Sequence, residues 1–323
     1  MKTILVLALE GVMDSSLTIT LDTLRAGQQL QSGGGKPGRV RILVAGYRKT
    51  VRTGGGLRLD ADLVFADVVK GVIRPDWILV PGLGLVSDKA IAARFLRKDA
   101  VAATALLRRA PASARIGAAC SSVFLLAETG LLAQRHVTMT WWLAHVFRER
   151  YPDVRLDETK MLVRDGPFLT AGSAYAALDM ALAIVADTMG SAIAHQCSRY
   201  LLIDRRPSQA RYMAPTHMQH ADPTVIAAER WIDDHLSEPI SIAVLAAALA
   251  VTPRTLARRI GAATGLSPVK LVQRRRLLQA SHLIETTSMS IEAIAAEVGY
   301  QDGTALRKLV RREFGTTPAA LRA

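Results

Sequence analysis

The last hundred residues repeat themselves, and that repeat constrains the fold of this chain more than any other feature. Ser241-Ile242 matches Ser290-Ile291, Leu245-Ala246-Ala247 matches Ile294-Ala295-Ala296, and Leu249 matches Val298, all at an offset of 49. After one inserted residue the offset becomes 50: Leu256 with Leu306, Arg258 with Lys308, Ile260 with Val310, Gly265 with Gly315, Pro268 with Pro318. Each copy reads as a short helix, a tight turn and a second helix. Thr252-Pro253 opens the second helix of the first copy, Thr as cap and Pro in the first turn. In the second copy Gly299 makes the turn and Asp302 caps.

Within each copy the apolar residues fall three or four apart and point inward, as Leu245, Leu249, Leu256 and Ile260 do in the first. Arg254 and Arg258 then share an outward stripe, with Arg259 beside it. Thr304, Arg307, Lys308 and Arg311 are presented in the same way by the second copy. An α-helix fits the major groove of DNA, and arginine donates bidentately to guanine O6 and N7. Two such helices, joined by a segment carrying Lys270, Arg274, Arg275 and Arg276, point to double-stranded DNA as partner; a solvated helix face is the rival reading. The net charge of +13 over 323 residues asks for a polyanion. It does not locate one: residues 1–223 carry net +9 and residues 224–323 net +4.

The first 200 residues read differently. Lys2–Ala8, Val40–Ala45, Asp76–Val80, Arg115–Ala119 and Phe168–Thr170 are predicted strands. Helical spacing fills Ser16–Leu30, Ile91–Arg109, Ser121–Thr129, Trp141–Arg150 and Ala174–Thr188. Unbroken apolar strands alternating with helices predict a parallel sheet covered on both faces. The expected class is therefore α/β, a flavodoxin-like parallel sheet, followed by an all-α domain with two helix-turn-helix units. Gly33-Gly34-Gly35 and Gly54-Gly55-Gly56 read as loops, since neither is followed by the Lys-Ser/Thr of a phosphate loop. The domains are expected at 1–211 and 224–323, joined by a linker at 212–223 that holds His217 and His220, read as solvated.

Several function classes fall away. No apolar run reaches the roughly 18–20 residues of a membrane helix, and Met1–Leu9 lacks the features of a signal peptide, so a cytoplasmic protein is expected. Two cysteines make neither a disulfide framework nor a Cys-based zinc site; no metal and no cofactor are expected. The chemically suggestive spot is Gly117-Ala118-Ala119-Cys120-Ser121-Ser122, a strand running through small residues into a helix, the pattern of a nucleophile elbow. A helix N-terminus there is expected to lower the thiol pKa, in a solvent-accessible pocket. Pro81-Gly82 can present a backbone N–H opposite.

Pro239–Ala323 resembles the DNA-binding domain of AraC-type transcription regulators. The resemblance rests on Ile240–Ala246, Thr264–Pro268, Leu283–Thr287, Ile291–Tyr300 and Arg312–Pro318. It implies base readers at Arg254, Ala257 and Arg258 in the first unit, and at Gly303, Thr304, Ala305 and Lys308 in the second. Gly303 and Ala305 are shorter than the polar residues often found there, which points the second unit toward phosphate. Residues 1–211 resemble the class I glutamine amidotransferase-like domain of the PfpI-type superfamily. That likeness is carried by Ile4–Ala8, Pro81-Gly82, the Cys120 turn, Leu125–Leu132, Val137–Trp141, Leu169–Gly172 with Asp179, and Arg205–Gln209.

The superfamily often has a histidine just before this Trp; here the residue is Thr140. His136 and His145 stand elsewhere in the motif. The carboxylate of the peptidase-like members falls on Glu10 or Asp14. The resemblance therefore implies a domain that kept its pocket, with candidates Glu10, Asp14, Gly82, Cys120, Ser121 and Thr140, but lost its catalytic dyad. The expected protein is not an enzyme. It is a dimeric transcription regulator that answers a small-molecule effector, an amine or amino acid by the family resemblance, and RNA polymerase is among the partners open to it. The alternative is a cysteine-dependent amidase or peptidase with an attached DNA-binding domain.

Overall fold

The computed structural model describes residues 1–32, 40–204, 206, 208–213 and 222–322. The Gly33–Gly35 loop, His217 and His220 lie outside them, as does most of the expected linker. Backbone packing divides the chain into two compact units, 1–143 with 151–206, and 144–150 with 207–323. The short helix 144–150, read from sequence as part of the first domain, groups with the second.

The first unit is built on a seven-stranded sheet. Along the chain run β1 (Lys2–Ala8), α1 (Asp14–Gln31), β2 (Val40–Gly46), β3 (Thr50–Arg52), β4 (Arg58–Asp60), β5 (Leu63–Val64), α2 (Phe65–Val69), β6 (Trp77–Val80), α3 (Asp88–Phe95), α4 (Lys98–Arg108), β7 (Arg115–Ala119), α5 (Ser122–Ala127), β8 (His136–Val137), α6 (Ala144–Arg150), β9 (Arg155–Leu156), β10 (Leu162–Asp165), β11 (Phe168–Ala171), α7 (Ala176–Met189) and α8 (Ser191–Tyr200). The sheet order is β10-β11-β7-β6-β1-β2-β5, and every pairing is parallel except β10 with β11. The α/β expectation holds.

Strand β1 is central and buried on both sides. Alternate residues of a strand face opposite ways. Ile4, Val6 and Ala8 join a core with Leu17, Leu21 and Leu24 of α1 and with Ala177, Met180, Ala181 and Ile184 of α7. Leu5 and Leu7 are equally buried and serve the other face. Small residues let these layers close: a Cβ on Gly27 would stand 2.9 Å from Met189 Sδ, and one on Gly117 would stand 2.8 Å from Leu79 Cδ2.

Where the sequence suggested one helix over Ile91–Arg109, the chain breaks at Leu96-Arg97 into α3 and α4. Arg94 lies in the last turn of α3 and Asp99 in the first turn of α4, and their side chains pair bidentately at 2.8 and 2.6 Å in a buried site. Asp99 Oδ2 also accepts from Glu10 N, while Arg94 Nη2 donates to Glu10 O. The break lets one ion pair hold the loop after β1.

The second unit contains α9 (Pro223–Asp234), α10 (Ile242–Ala248), α11 (Pro253–Thr264), α12 (Pro268–Thr286), α13 (Ile291–Glu297), α14 (Gly303–Phe314) and α15 (Pro318–Arg322). The repeat is literal in its caps. Ser241 and Ser290 cap α10 and α13; Thr252 and Asp302 cap α11 and α14. Gly265 and Gly315 end α11 and α14 at the same left-handed φ of 69°. The turn inside each copy also reverses through a left-handed residue, Ala250 at φ 53° and Gly299 at φ 74°. The first copy's core joins Leu245, Leu256 and Ile260 with Val225, Ala228 and Ile232 of α9 and Leu271 of α12.

Two changes probe this packing. Leu24→Ala is expected to lower the unfolding free energy of the α/β unit by about 2–5 kcal/mol, the cost of a buried leucine cavity. Ala250→Gly is expected to raise the stability of the second unit by up to about 1 kcal/mol, because a Cβ is strained at positive φ. Chemical denaturation of each variant checks both signs.

Candidate nucleic-acid interface and Cys120 site

On α11, Arg254 and Arg258 are exposed one helical turn apart, and neither makes a hydrogen bond or ion pair with any described residue. Ala257 is exposed beside them. Arg259, expected next to this stripe, is turned instead to the start of α9. There it donates to Thr224 Oγ1 and stands 3.5 Å from Asp222 Oδ1. Its guanidinium thus fastens α9 onto α11, where the sequence placed it free beside the outward stripe.

On α14, Thr304, Lys308 and Arg311 are exposed. Arg307 is exposed too, and donates to Glu292 Oε1 at 2.7 Å; the bond holds that carboxyl below its ordinary range. Both partners are well solvated, so the pair is weak and Arg307 is readily given up to a stronger anion. Gly303 is buried at the helix start, where a Cβ would meet Glu292 Oε1 at 2.9 Å. It forms the buried seat of the helix, at a position where the resemblance implies a base reader. The two outward faces therefore differ: free arginines in the first copy, a threonine and a denser set of cations in the second.

In the first unit, Cys120 follows β7 at the expected sharp turn with φ 57°, and its N–H is held by Ala171 O and Gly172 O. Gly82 faces it so closely that a Cβ there would lie 3.0 Å from Cys120 Cβ. The Gly82 N–H donates to Ser16 Oγ at 2.7 Å. Ser121 Oγ accepts from Leu85 N at 3.1 Å, and Ser122 donates to Val80 O and Ala119 O. The elbow geometry is present, and Gly82, Cys120, Ser121 and Thr140 come together around the sulfur.

The thiol itself departs from expectation. Cys120 is 1% exposed, and burial pushes its pKa up. The Ser121 backbone and side chain and the nearby Thr140 hydroxyl oppose that shift without overcoming it. The helix N-terminus does not deliver the expected lowering, because desolvation outweighs it. No histidine is among the groups that act on the thiol. His136 is exposed at β8 and lies 3.3 Å from Asp165 Oδ2.

Neither carboxylate faces the sulfur. Asp14 takes the Thr53 hydroxyl at 2.5 Å and the Gly55 N–H at 2.6 Å, bonds that hold its pKa low. Glu10 Oε2 accepts from Arg52 N at 3.2 Å. Both thus bind the β3–β4 hairpin, whose Gly54-Gly55-Gly56 turn the sequence showed only as a loop. Thr140 Oγ1 is buried and has no hydrogen-bond partner within bonding geometry among the described residues. Sequence reasoning also passed over Ser16; a serine two residues into a helix carries no signal by itself.

Residues 2–187 match the DJ-1/PfpI family. The chain belongs to that family. Residues 245–323 match a helix-turn-helix domain, and the two matches together bear out the AraC-type regulator architecture. The DJ-1/PfpI chain is 27% identical over 227 residues to the HTH-type transcriptional regulator GlxA of Rhizobium meliloti (strain 1021), covering 68% of each protein. It is 26% identical to the HTH-type transcriptional regulator CdhR of Pseudomonas aeruginosa PAO1, over 62% of this chain and 60% of that one. Among solved structures, an AraC family transcriptional regulator from Pseudomonas putida superposes with a TM-score of 0.50 at 20% identity, over 62% of this chain and 100% of the other. That likeness speaks to the fold. No described helix is long and apolar enough to cross a membrane.

The thiol's burial has a kinetic consequence. Iodoacetamide at pH 7.5 is expected to modify Cys120 at least about tenfold more slowly in the folded chain than in denaturant, since only the exposed thiolate reacts. Peptide mapping by mass spectrometry reads this directly. A labelling rate equal to that of the unfolded chain contradicts the buried, protonated thiol.

Proposed function

We propose that this chain is a sequence-specific DNA-binding transcription regulator whose DJ-1/PfpI unit senses a small molecule and does not catalyse. The observation that carries the DNA reading is the pair Arg254 and Arg258, exposed on the second helix of a helix-turn-helix and unengaged by the protein, with Thr304, Lys308 and Arg311 in the equivalent place on the second copy. Long donors kept free of intramolecular partners suit base edges and phosphates. Residues 1–211 are the sensing part and 224–323 the reading part.

The effector reading rests on the cluster at the carboxyl ends of the strands, the usual crevice of such sheets. Ser121, Gly82 and the unpartnered Thr140 hydroxyl surround Cys120 there. The family resemblance points to an amine or amino acid as effector class. Catalysis by Cys120 needs a base or a cation beside the sulfur, and burial with hydroxyl neighbours supplies neither. In this reading the protein works as a cytoplasmic homodimer on two linked half-sites, where tethering raises affinity by effective concentration, and RNA polymerase is its partner at the promoter.

The test begins with DNA selected from a random duplex pool by the full chain. Arg258→Ala is expected to weaken the selected site by about 1–3 kcal/mol and to relax preference at one base pair. Arg311→Ala is expected to weaken all sequences alike and flatten the salt slope by about one unit. Unchanged binding by Arg258→Ala would overturn the assignment of α11.

A second arm addresses chemistry. Amide and peptide substrates are expected to show no hydrolysis above the Cys120→Ala background. A Cys120-dependent rate in the unmodified chain would instead establish the amidase or peptidase.

A further inference from the structure

The two helix-turn-helix copies meet at a junction that rests on one arginine. Arg276, on α12, donates from Nη1 to Gly299 O at 3.0 Å and from Nη2 to Glu238 O at 2.6 Å. Gly299 is the turn residue of the second copy. Glu238 lies between α9 and α10, at the entry to the first. A single guanidinium thus holds one backbone carbonyl from each copy, with the direction of both bonds fixed by a rigid planar fork that a freely rotating ammonium lacks.

Backbone approach at the same place is equally close. A Cβ on Gly299 would fall 2.2 Å from Leu236 O and 2.7 Å from Arg276 Nη2. Glycine here answers two demands, the positive φ and the contact across copies. The corresponding residue of the first copy, Ala250, keeps its methyl at φ 53°. The difference is the neighbour: the second copy's turn is pressed against the first copy, and the first copy's turn carries a side chain.

The junction opens on a cavity of 540 Å³ lined in part by Ser237, Ser241, Tyr300 and Gln301. Arg276 Cζ lies 6.0 Å from the Tyr300 ring centroid. Arg276 Nε and Tyr300 OH are both buried without a hydrogen-bond partner among the described residues. An arginine held with one donor unpaired is a costly residue to keep for local stability alone. What it supplies is a fixed relation between two carbonyls in two copies.

We propose that Arg276 is a positioning residue that sets the distance and phase between α11 and α14, so that the chain selects DNA by the spacing of its two blocks as well as by their sequence. The proposal rests on the DNA-binding reading above. Successive turns of the duplex lie about 34 Å apart, and inserting one base pair both lengthens and rotates the second block. A rigid junction rejects that insertion; a hinged one follows it.

The experiment uses the full chain and the duplex that the unmodified chain selects from a random pool. Binding is measured on that duplex and on versions with one base pair inserted or removed between the two blocks. The unmodified chain is expected to bind the altered spacings at least about tenfold more weakly, a loss of the size of a mismatched base pair. Arg276→Ala is expected to cut that discrimination to about threefold or less, with both blocks keeping their sequence preference. Arg276→Lys, which reaches one carbonyl, should fall between. Gly299→Ala keeps the arginine but wedges the junction open, its Cβ colliding with Leu236 O and with the Arg276 guanidinium, and should lose discrimination as Arg276→Ala does.

A folded Arg276→Ala chain that weakens on all spacings equally, or keeps the original discrimination, overturns the proposal. If Arg276→Ala does not fold, Gly299→Ala decides by the same criterion, and failure of every variant to fold makes the junction a folding determinant and overturns it too. Failure of the unmodified chain to select any DNA overturns the DNA-binding reading, and this proposal with it.

Discussion

Backbone groups left unpaired where the chain reverses must find partners, and in this protein polar side chains meet that demand at one turn after another. Ser241, Thr252, Ser290 and Asp302 accept from the first-turn N–H groups of four helices. Ser16 takes the Gly82 N–H, Arg94 donates to Glu10 O, and Arg276 donates to Glu238 O and Gly299 O. Against that background the side chains with no internal duty stand out. Arg254, Arg258, Lys308 and Arg311 face outward without partners among the described residues, and Thr140 faces inward without one. The first group is open to solvent; the second lies against the Cys120 site.

The same accounting bears on the thiol at the elbow. Cys120 sits at φ 57°, the strained turn that presents a side chain at the end of a sheet. Geometry of that kind is only half of reactivity. A thiolate needs a proton acceptor or a cation to offset its desolvation, and the neighbours here are hydroxyls. The two candidate carboxylates, Glu10 and Asp14, are drawn to the β3–β4 hairpin by Arg52 N, Thr53 and Gly55. The site keeps hydrogen-bonding groups around a sulfur that has no charged partner among the groups acting on it.

Much of this was legible in the sequence, for physical reasons. Strands β1, β2, β6, β7 and β11 are apolar runs because a parallel strand covered on both faces tolerates little else. The repeat was legible because both copies cap the same helix positions and end the second helix on a left-handed glycine. What stayed hidden depends on partners distant in sequence. The β3–β4 hairpin is short and polar, and its strand character comes from Asp60 and Leu59 pairing with Thr50 and Val51. The break between α3 and α4 is invisible until Arg94 and Asp99 are seen closing on Glu10. Arg259 sits next to Arg258 in sequence, and nothing in the pattern announces that Thr224 and Asp222 take it away. Cys120 illustrates the sharpest limit: a motif located the residue, but only packing reveals that burial reverses the expected direction of its pKa.

The central claim is that one chain reads DNA with two helices, α11 and α14, in successive major-groove segments. The measurement that meets it most directly is a hydroxyl-radical footprint of the full chain on DNA selected from a random pool. The account predicts two protected segments per chain on one face of the duplex, about ten base pairs apart, with Arg258→Ala exposing one segment and Lys308→Ala with Arg311→Ala exposing the other. A single protected segment, or two segments that both vanish or both persist under each set of substitutions, would contradict it.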